Sequence, residues 1–336
     1  MERGAGRARS AGLAAAWLGL GAALATAGCA APGGDAARGT PSAYARPAEH
    51  AGAVRTTHFV TMRDGVRLAV DVILPPDLPP GARLTTLLYQ GRYWRSVALR
   101  GPARMTHDSV ARHGLLGPFK EWFVARGYAW IDVDTRGSGA SFGFRLWDYA
   151  PDEILDGADL VDWIVAQPWS DGRVAGVGVS YSGAAAELLL VNRHPAVKAS
   201  LPLFCDFDQY QDILAPGGVP HRAWLEAWGE FTRRLDRGRL PFDAWWLSLF
   251  VRGVRPVDED RSGALLAAAL RDHGANFDFR NMQGVVYRDD RPEPDAESRG
   301  ASERAARARA DTWLEGRFGP GFRALGTDLA SPHAFA

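Results

Sequence analysis

The octapeptide Gly176-Val177-Gly178-Val179-Ser180-Tyr181-Ser182-Gly183 constrains the fold more than any other part of the 336-residue chain. Residues 174–179 are suited to a strand and residues 181–192 to a helix, so the chain must pass from one to the other through Gly-x-Ser. So sharp a turn needs strained angles at the serine and close approach of strand and helix. Gly178, Gly183 and the run Ala184-Ala185-Ala186 supply the small neighbours this requires. The turn lifts the Ser180 side chain out at the carboxyl edge of the sheet. There the N–H groups of the first helical turn and the helix dipole favour developing negative charge. Ser180 is therefore the candidate nucleophile. Ser182 competes with it but lacks a glycine two residues earlier, and a glycine-rich β–α turn in a non-enzymatic sheet is the plainer alternative.

The flanking pattern agrees with a layered α/β fold. Residues 57–61 and 66–74 flank Arg63-Asp64-Gly65 and read as a hairpin with a tight Asp-Gly turn. Strands are expected at 84–90, 128–133, 174–179 and 199–204. Helices are expected at 119–126, entered through Pro118, at 156–167, stopped by Pro168, and at 181–192. Strands alternating with helices after an opening hairpin predict a mostly parallel sheet. At 46% hydrophobic and 23% charged residues the chain can bury a large core, as one large domain or as a domain with an inserted cap.

Ordered motifs carry a family resemblance. Met62 to Leu68, the stretch Asp134-Thr135-Arg136-Gly137-Ser138-Gly139-Ala140-Ser141-Phe142-Gly143, the residues Asp156, Asp159, Asp162-Trp163-Ile164 and Gln167-Pro168-Trp169-Ser170, and Gly178 to Gly183 follow one another in a consistent order. Over roughly residues 57 to 336 the chain resembles the CocE/NonD hydrolases, which belong with the bacterial cocaine esterases, the acylases of α-amino acid esters and the X-prolyl dipeptidyl aminopeptidases. The resemblance implies an α/β-hydrolase fold with an inserted helical cap. It implies that Ser180 attacks a carbonyl to give an acyl-enzyme, that the Tyr181 backbone N–H is one oxyanion donor, and that the Tyr93 hydroxyl is the second. Arg92 stands where the family usually has Pro, and an aromatic packing role at a strand end is the alternative for Tyr93. The implied substrate is a small-molecule ester, amide or peptide, of α-amino acid ester or X-Pro dipeptidyl type. No cofactor is implied.

Other polar clusters read as scaffold. Asp134, Arg136 and the glycines 137, 139 and 143 are expected to shape a loop beside the site. Asp156, Asp159 and Asp162 suit a helix start, and no neighbouring histidine completes a metal-ligand set, so no metal is expected.

The triad acid and base are not assigned. An α/β-hydrolase places them after the serine, on loops following later strands. His194, His221, His273 and His333 do not follow strand signals, and no family-like Gly-Trp-Tyr-Asp-Gly or Gly-Pro-Trp-x-His segment is present. The region after residue 215 instead shows apolar helical faces at Trp224, Trp228 and Phe231, at Leu265, Leu266, Ala269 and Leu270, and at 305–314, with no returning strand pair. Trp224, Trp245 and Trp246 could line an acyl pocket, though such stripes more often form core. The expected organisation is a lipoprotein signal over 1–28, a flexible tether over 29–55, the first part of the α/β-hydrolase core over 56–215, a helical cap over 216–330, and the start of the returning core over 331–336. On that reading the later core strands and a C-terminal β-sandwich are missing, the chain is a truncated piece, and it is inactive alone. The competing class is a non-catalytic, lipid-anchored envelope binding protein.

The N-terminus points to export. Arg3, Arg7 and Arg9 precede a charge-free stretch over 11–27 that ends in Thr26-Ala27-Gly28-Cys29, resembling a bacterial lipoprotein signal in which Cys29 is acylated. The plainer alternative is an ordinary signal peptide, giving a secreted protein. Cys205 is the one other cysteine, so no disulfide framework is expected. Lys and Arg number 39 against 39 Asp and Glu, and loss of residues 1–28 removes three Arg and one Glu, leaving 36 against 38. Neither balance suggests a nucleic-acid partner; the expected membrane contact is through the lipid alone.

Overall fold

The computed structural model describes residues 46–100, 117–241, 245–284 and 301–318. The signal segment with Cys29, most of the tether, and residues 319–336 with His333 lie outside the described residues.

Six strands form the main sheet: β1 (Val54–Thr61), β2 (Arg67–Leu74), β3 (Leu84–Gly91), β5 (Tyr128–Asp134), β6 (Ser170–Val179) and β7 (Val197–Leu203), in the order β1-β2-β5-β3-β6-β7. β1 and β2 are the expected hairpin, with Thr61 opposite Arg67 and Gly65 at φ +85° in the turn. Only β2 runs against the others, because β5, β3, β6 and β7 pair in parallel. Parallel strands need crossovers, and three helices provide them: α1 (Gly117–Val124), α2 (Pro151–Val165) and α3 (Tyr181–Leu188). This is the mostly parallel α/β-hydrolase sheet.

Burial on both faces explains the near-continuous apolar strands. Alternate residues of β3 and β5 supply the two layers. Leu88 and Ile131 pack with Leu160, Val161 and Ile164 of α2, while Leu87 and Trp130 pack with Val124, Phe119 and Phe123 of α1. Lys120 on α1 forms a buried ion pair with Asp132 on β5, fixing the helix along the sheet.

Beyond β7 the expected helical region is present as α4 (Arg222–Asp236), α5 (Ala264–Asp272) and α6 (Ala301–Phe318). One expectation fails there. A strand pair does form, between β4 (Val97–Leu99) and β8 (Val251–Val254), antiparallel and only a few residues long. Its brevity hides it from any period-two pattern. Among the described residues no helix is long and apolar enough to cross a membrane.

Strand order positions the site. The chain builds from β3 outward to β5, then returns across β3 to lay down β6 on its other side. Such a reversal opens a crevice at the carboxyl ends of the two neighbouring strands, where ligands of open α/β sheets bind. Tyr93 follows the end of β3 and Ser180 follows the end of β6, so residues 87 positions apart converge at one sheet edge.

Candidate active site

The turn from β6 into α3 has the geometry the octapeptide requires. Ser180 has φ 58° and ψ −125°, a region that non-glycine residues occupy only when the surroundings enforce it. Its N–H donates to Leu203 O at 2.9 Å, and its carbonyl accepts from Gly183 N at 2.8 Å and Ala184 N at 3.1 Å. The strain is thus held by β7 on one side and the first turn of α3 on the other. A Cβ on Gly178 would stand 2.0 Å from the Ser182 carbonyl oxygen, and one on Gly183 would stand 2.7 Å from that of Leu203. Neither position admits a side chain.

Ser180 and Ser182 face different ways. Ser180 opens on a cleft of about 590 Å³. Ser182 is 0% exposed, beneath the turn, where a Cβ on Gly91 would meet its hydroxyl at 2.7 Å.

Tyr93 is brought to Ser180. Its ring packs edge-on against Tyr181, Trp228 and Phe231 at 6.0–6.3 Å between centroids. Its hydroxyl oxygen is buried without a formed hydrogen bond. The polar groups in front of it are the Ser180 hydroxyl and the Tyr181 backbone N–H. Burial pushes this phenol well above its ordinary range, against the opposing pull of Ser180, so it stays a neutral O–H donor.

The residues beside Tyr93 fix it. Arg92, buried, donates to both oxygens of Asp148 at 2.6 and 2.8 Å and reaches Asp236 on α4 at 3.3 Å. Arg145 completes the ring of charges, 2.8 Å from Asp236. Trp94 has φ 68°, and its indole N–H donates to Leu235 O at 3.1 Å. Rigid ion pairing here does the positioning that a proline ring does by restricting φ. The pairing also ties the sheet edge to α4.

Trp224, Trp228, Phe279, Phe204 and Cys205 line the cleft. Trp246 is 50% exposed, and it is not among the residues lining the cleft. Three carboxylates reach the cleft. Asp148 is committed to Arg92, and Asp212 accepts the backbone N–H groups of Phe207 and Asp208, both at 2.9 Å. Asp206 differs: its Oδ2 is buried with no hydrogen-bond partner, and burial raises its pKa.

The loop after β5 and the acidic face of α2 are bound to each other. Asp134 accepts Arg95 N at 2.6 Å and Ala140 N at 2.8 Å, while Gly137, Gly139 and Gly143 all take positive φ. Arg136 donates to Asp156 at 2.6 and 2.7 Å and to Asp64 at 2.9 Å; Asp159 accepts from Arg63 and Asp162 pairs with His194. Asp156, Asp159 and Asp162 of α2 thus answer guanidinium and imidazole groups of the scaffold.

No histidine among the described residues lines the cleft. His273 is buried between the main-chain oxygens of Asp236 and Ser141, and His221 occupies the N-cap position of α4 with its ring stacked 6.3 Å from that of Trp224.

Sequence reasoning missed two neighbours of Tyr181. Tyr149, at φ 64°, stacks on the Tyr181 ring at 4.4 Å and donates to Tyr181 O at 3.1 Å. Glu153 accepts the Tyr181 phenol at 2.5 Å. Glu153 lies before the helix expected over 156–167, and no sequence signal marked it as such a neighbour.

Comparison with known proteins follows the same residues. Residues 64–314 match the family described as X-Pro dipeptidyl-peptidase (S15 family). A protein of Mycobacterium bovis named as a serine esterase is 47% identical over 267 residues, covering 76% of this chain and 42% of the relative. The cocaine esterase of a Rhodococcus species is 32% identical over 194 residues, covering 54% of this chain and 30% of the relative. The chain therefore spans about two fifths or less of the length of these relatives. A solved CocE/NonD family hydrolase from Staphylococcus aureus matches 60% of this chain and 39% of its own at 18% identity, with a TM-score of 0.44.

Proposed function

The chain belongs to the X-Pro dipeptidyl-peptidase family S15, and on that premise we propose that it is a serine hydrolase that cleaves ester or amide bonds through an acyl-enzyme. One observation carries the reading: a serine held at strained angles on a cleft, with a buried, unpartnered phenol facing it. Ser180 Oγ attacks the substrate carbonyl carbon, and the carbonyl electron pair moves onto oxygen. That oxygen is received by the Tyr93 O–H and the Tyr181 N–H, donors set for the transition state rather than the ground state. Collapse expels the alcohol or amine, and water then releases the acyl group. The Ser180 proton passes to a general base and from it to the leaving alcohol or amine; no described histidine lines the cleft.

Asp206 supports a finer reading. A buried carboxylate oxygen without a partner is costly, and a ligand ammonium would satisfy it. The proposed substrate therefore carries a free α-amino group near the scissile bond, as an α-amino acid ester or a peptide N-terminus does. A non-catalytic binding protein is the second reading, favoured by the lack of a histidine among the described cleft residues.

Pre-steady-state kinetics separates these readings. With a p-nitrophenyl aminoacyl ester and its N-acetylated counterpart, a chain extended to the length of the relatives should release a burst of nitrophenol stoichiometric with enzyme. The free amine should be preferred about tenfold in kcat/KM, the scale of one charge-assisted contact. Equal rates would remove the amine preference, and no burst or turnover with either would favour the binding protein.

We also propose export with lipid attachment at Cys29, supported by the charged, apolar and small-residue order of residues 1–29. Expressed with its leader in a bacterium, the protein should partition with membranes and incorporate labelled fatty acid, and Cys29→Ala should lose the label. Unlabelled wild type in the soluble exported fraction would refute the attachment.

A further inference from the structure

We propose that Glu153 is a positioning residue for the elbow: it holds Tyr181 by the phenol, so that the Tyr181 backbone N–H stays aimed at the space beside Ser180. This rests on the proposed roles of Ser180 and Tyr181. Tyr181 is gripped at both ends. Its phenol donates to Glu153 Oε1 at 2.5 Å, and its carbonyl accepts the Tyr149 hydroxyl at 3.1 Å. The clamp is closed on itself, since Tyr149 N donates to Glu153 Oε2 at 3.3 Å and the two tyrosine rings stack at 4.4 Å. Glu153 belongs to the first turn of α2, so the clamp joins that helix to the strained turn.

Packing alone would not call for a carboxylate here. Glu153 is buried, and its hydrogen bonds are to a phenol and a main-chain amide rather than to a cation. The charged and titratable groups around it are Tyr181 of α3, Tyr149, Asp148 and Arg145 of the loop before α2, Asp156 one turn along α2, and Arg92 over the Tyr181 ring. Arg63 and, from α6, Arg309 pair with Asp152 instead. Burial pushes the Glu153 carboxyl up to about 7, against the opposing hydrogen bond from Tyr181 and the charge of Arg145. A non-titrating glutamine keeps an acceptor for the phenol, whereas alanine leaves it unpaired.

The test, made in a chain extended to the length of the relatives, compares Glu153→Gln, Glu153→Ala, Tyr181→Phe and the double variant Glu153→Ala/Tyr181→Phe, with Ser180→Ala as control. Ester turnover and the rate of fluorophosphonate labelling are both read. Glu153→Ala and Tyr181→Phe should each lower kcat and the labelling rate by about 10- to 100-fold, the range that loss of alignment costs, with KM within about twofold. The double variant should be no worse than either single one, because the two residues act through one contact. Glu153→Gln should recover to within about threefold of wild type. Should Glu153→Ala fail to fold, Tyr181→Phe against Glu153→Gln still decides.

A stability arm reads the carboxyl itself. Between the ordinary value of 4.5 and the raised value near 7, the folded protein holds a proton that the unfolded chain has released. Stability from this group is complete below 4.5 and is lost as pH rises towards 7. Glu153→Gln should lack that decline. Additive losses, a rise in KM at constant kcat, or a glutamine variant as impaired as alanine would overturn the positioning role. Continued labelling of Ser180→Ala would instead overturn the nucleophile assignment on which it rests.

Discussion

In a chain extended to the length of the relatives, Ser180→Ala should lower ester turnover by about 10⁴- to 10⁶-fold and abolish the burst, leaving the fold intact. The size follows from what the side chain does. Without Oγ no acyl-enzyme can form, and the remaining donors can only assist direct attack by water. The substitution is mild structurally, because Ser180 makes its two anchoring contacts, to Leu203 and to the first turn of α3, through its backbone. Alanine at φ 58° is no less strained than serine, so thermal unfolding should change little. A variant that loses activity together with its unfolding transition would point to a structural role. One that keeps both would move the nucleophile elsewhere.

In the same extended chain, Tyr93→Phe should cost about 10²–10³ in kcat, or roughly 3–4 kcal/mol, with KM changed far less. The hydroxyl is buried and makes no hydrogen bond to protein that phenylalanine would forfeit. Its removal therefore takes away only the contact made to the oxygen as charge develops. Packing predicts the opposite outcome, because the ring's contacts with Tyr181, Trp228 and Phe231 survive in phenylalanine. Full kcat in Tyr93→Phe would make Tyr93 an aromatic spacer. Stability should rise slightly or stay level, since an unsatisfied buried polar atom has gone.

The sequence was most informative where the chemistry is local. A strand-to-helix passage through small residues admits few conformations, and Ser180 takes the strained angles this passage demands. The alternation of strands and helices was legible for the same reason, since each element carries its own period. Helix starts were harder. α2 begins at Pro151, five residues before the expected Asp156, although a proline at the first turn followed by Asp152 and Glu153 is a readable start.

Long-range polar geometry was the least legible. Arg92 meets Asp148 across 56 residues and Asp236 across 144, and no periodic pattern marks such partners. From sequence, Arg92 was only a departure from the family's proline. In the fold it braces Tyr93 between the sheet and α4. Glu153 was hidden differently, because it falls before the helix expected over 156–167 and its partner Tyr181 lies 28 residues further on. The β4–β8 pair was invisible because each strand is too short to show alternation.

The central claim is that Ser180, and not its neighbour, is the reacting group. Peptide mapping by mass spectrometry after exposure to a fluorophosphonate tests it most directly. The account predicts a single adduct on Ser180, absent from Ser180→Ala. An adduct on Ser182, or labelling that persists in Ser180→Ala, would contradict it.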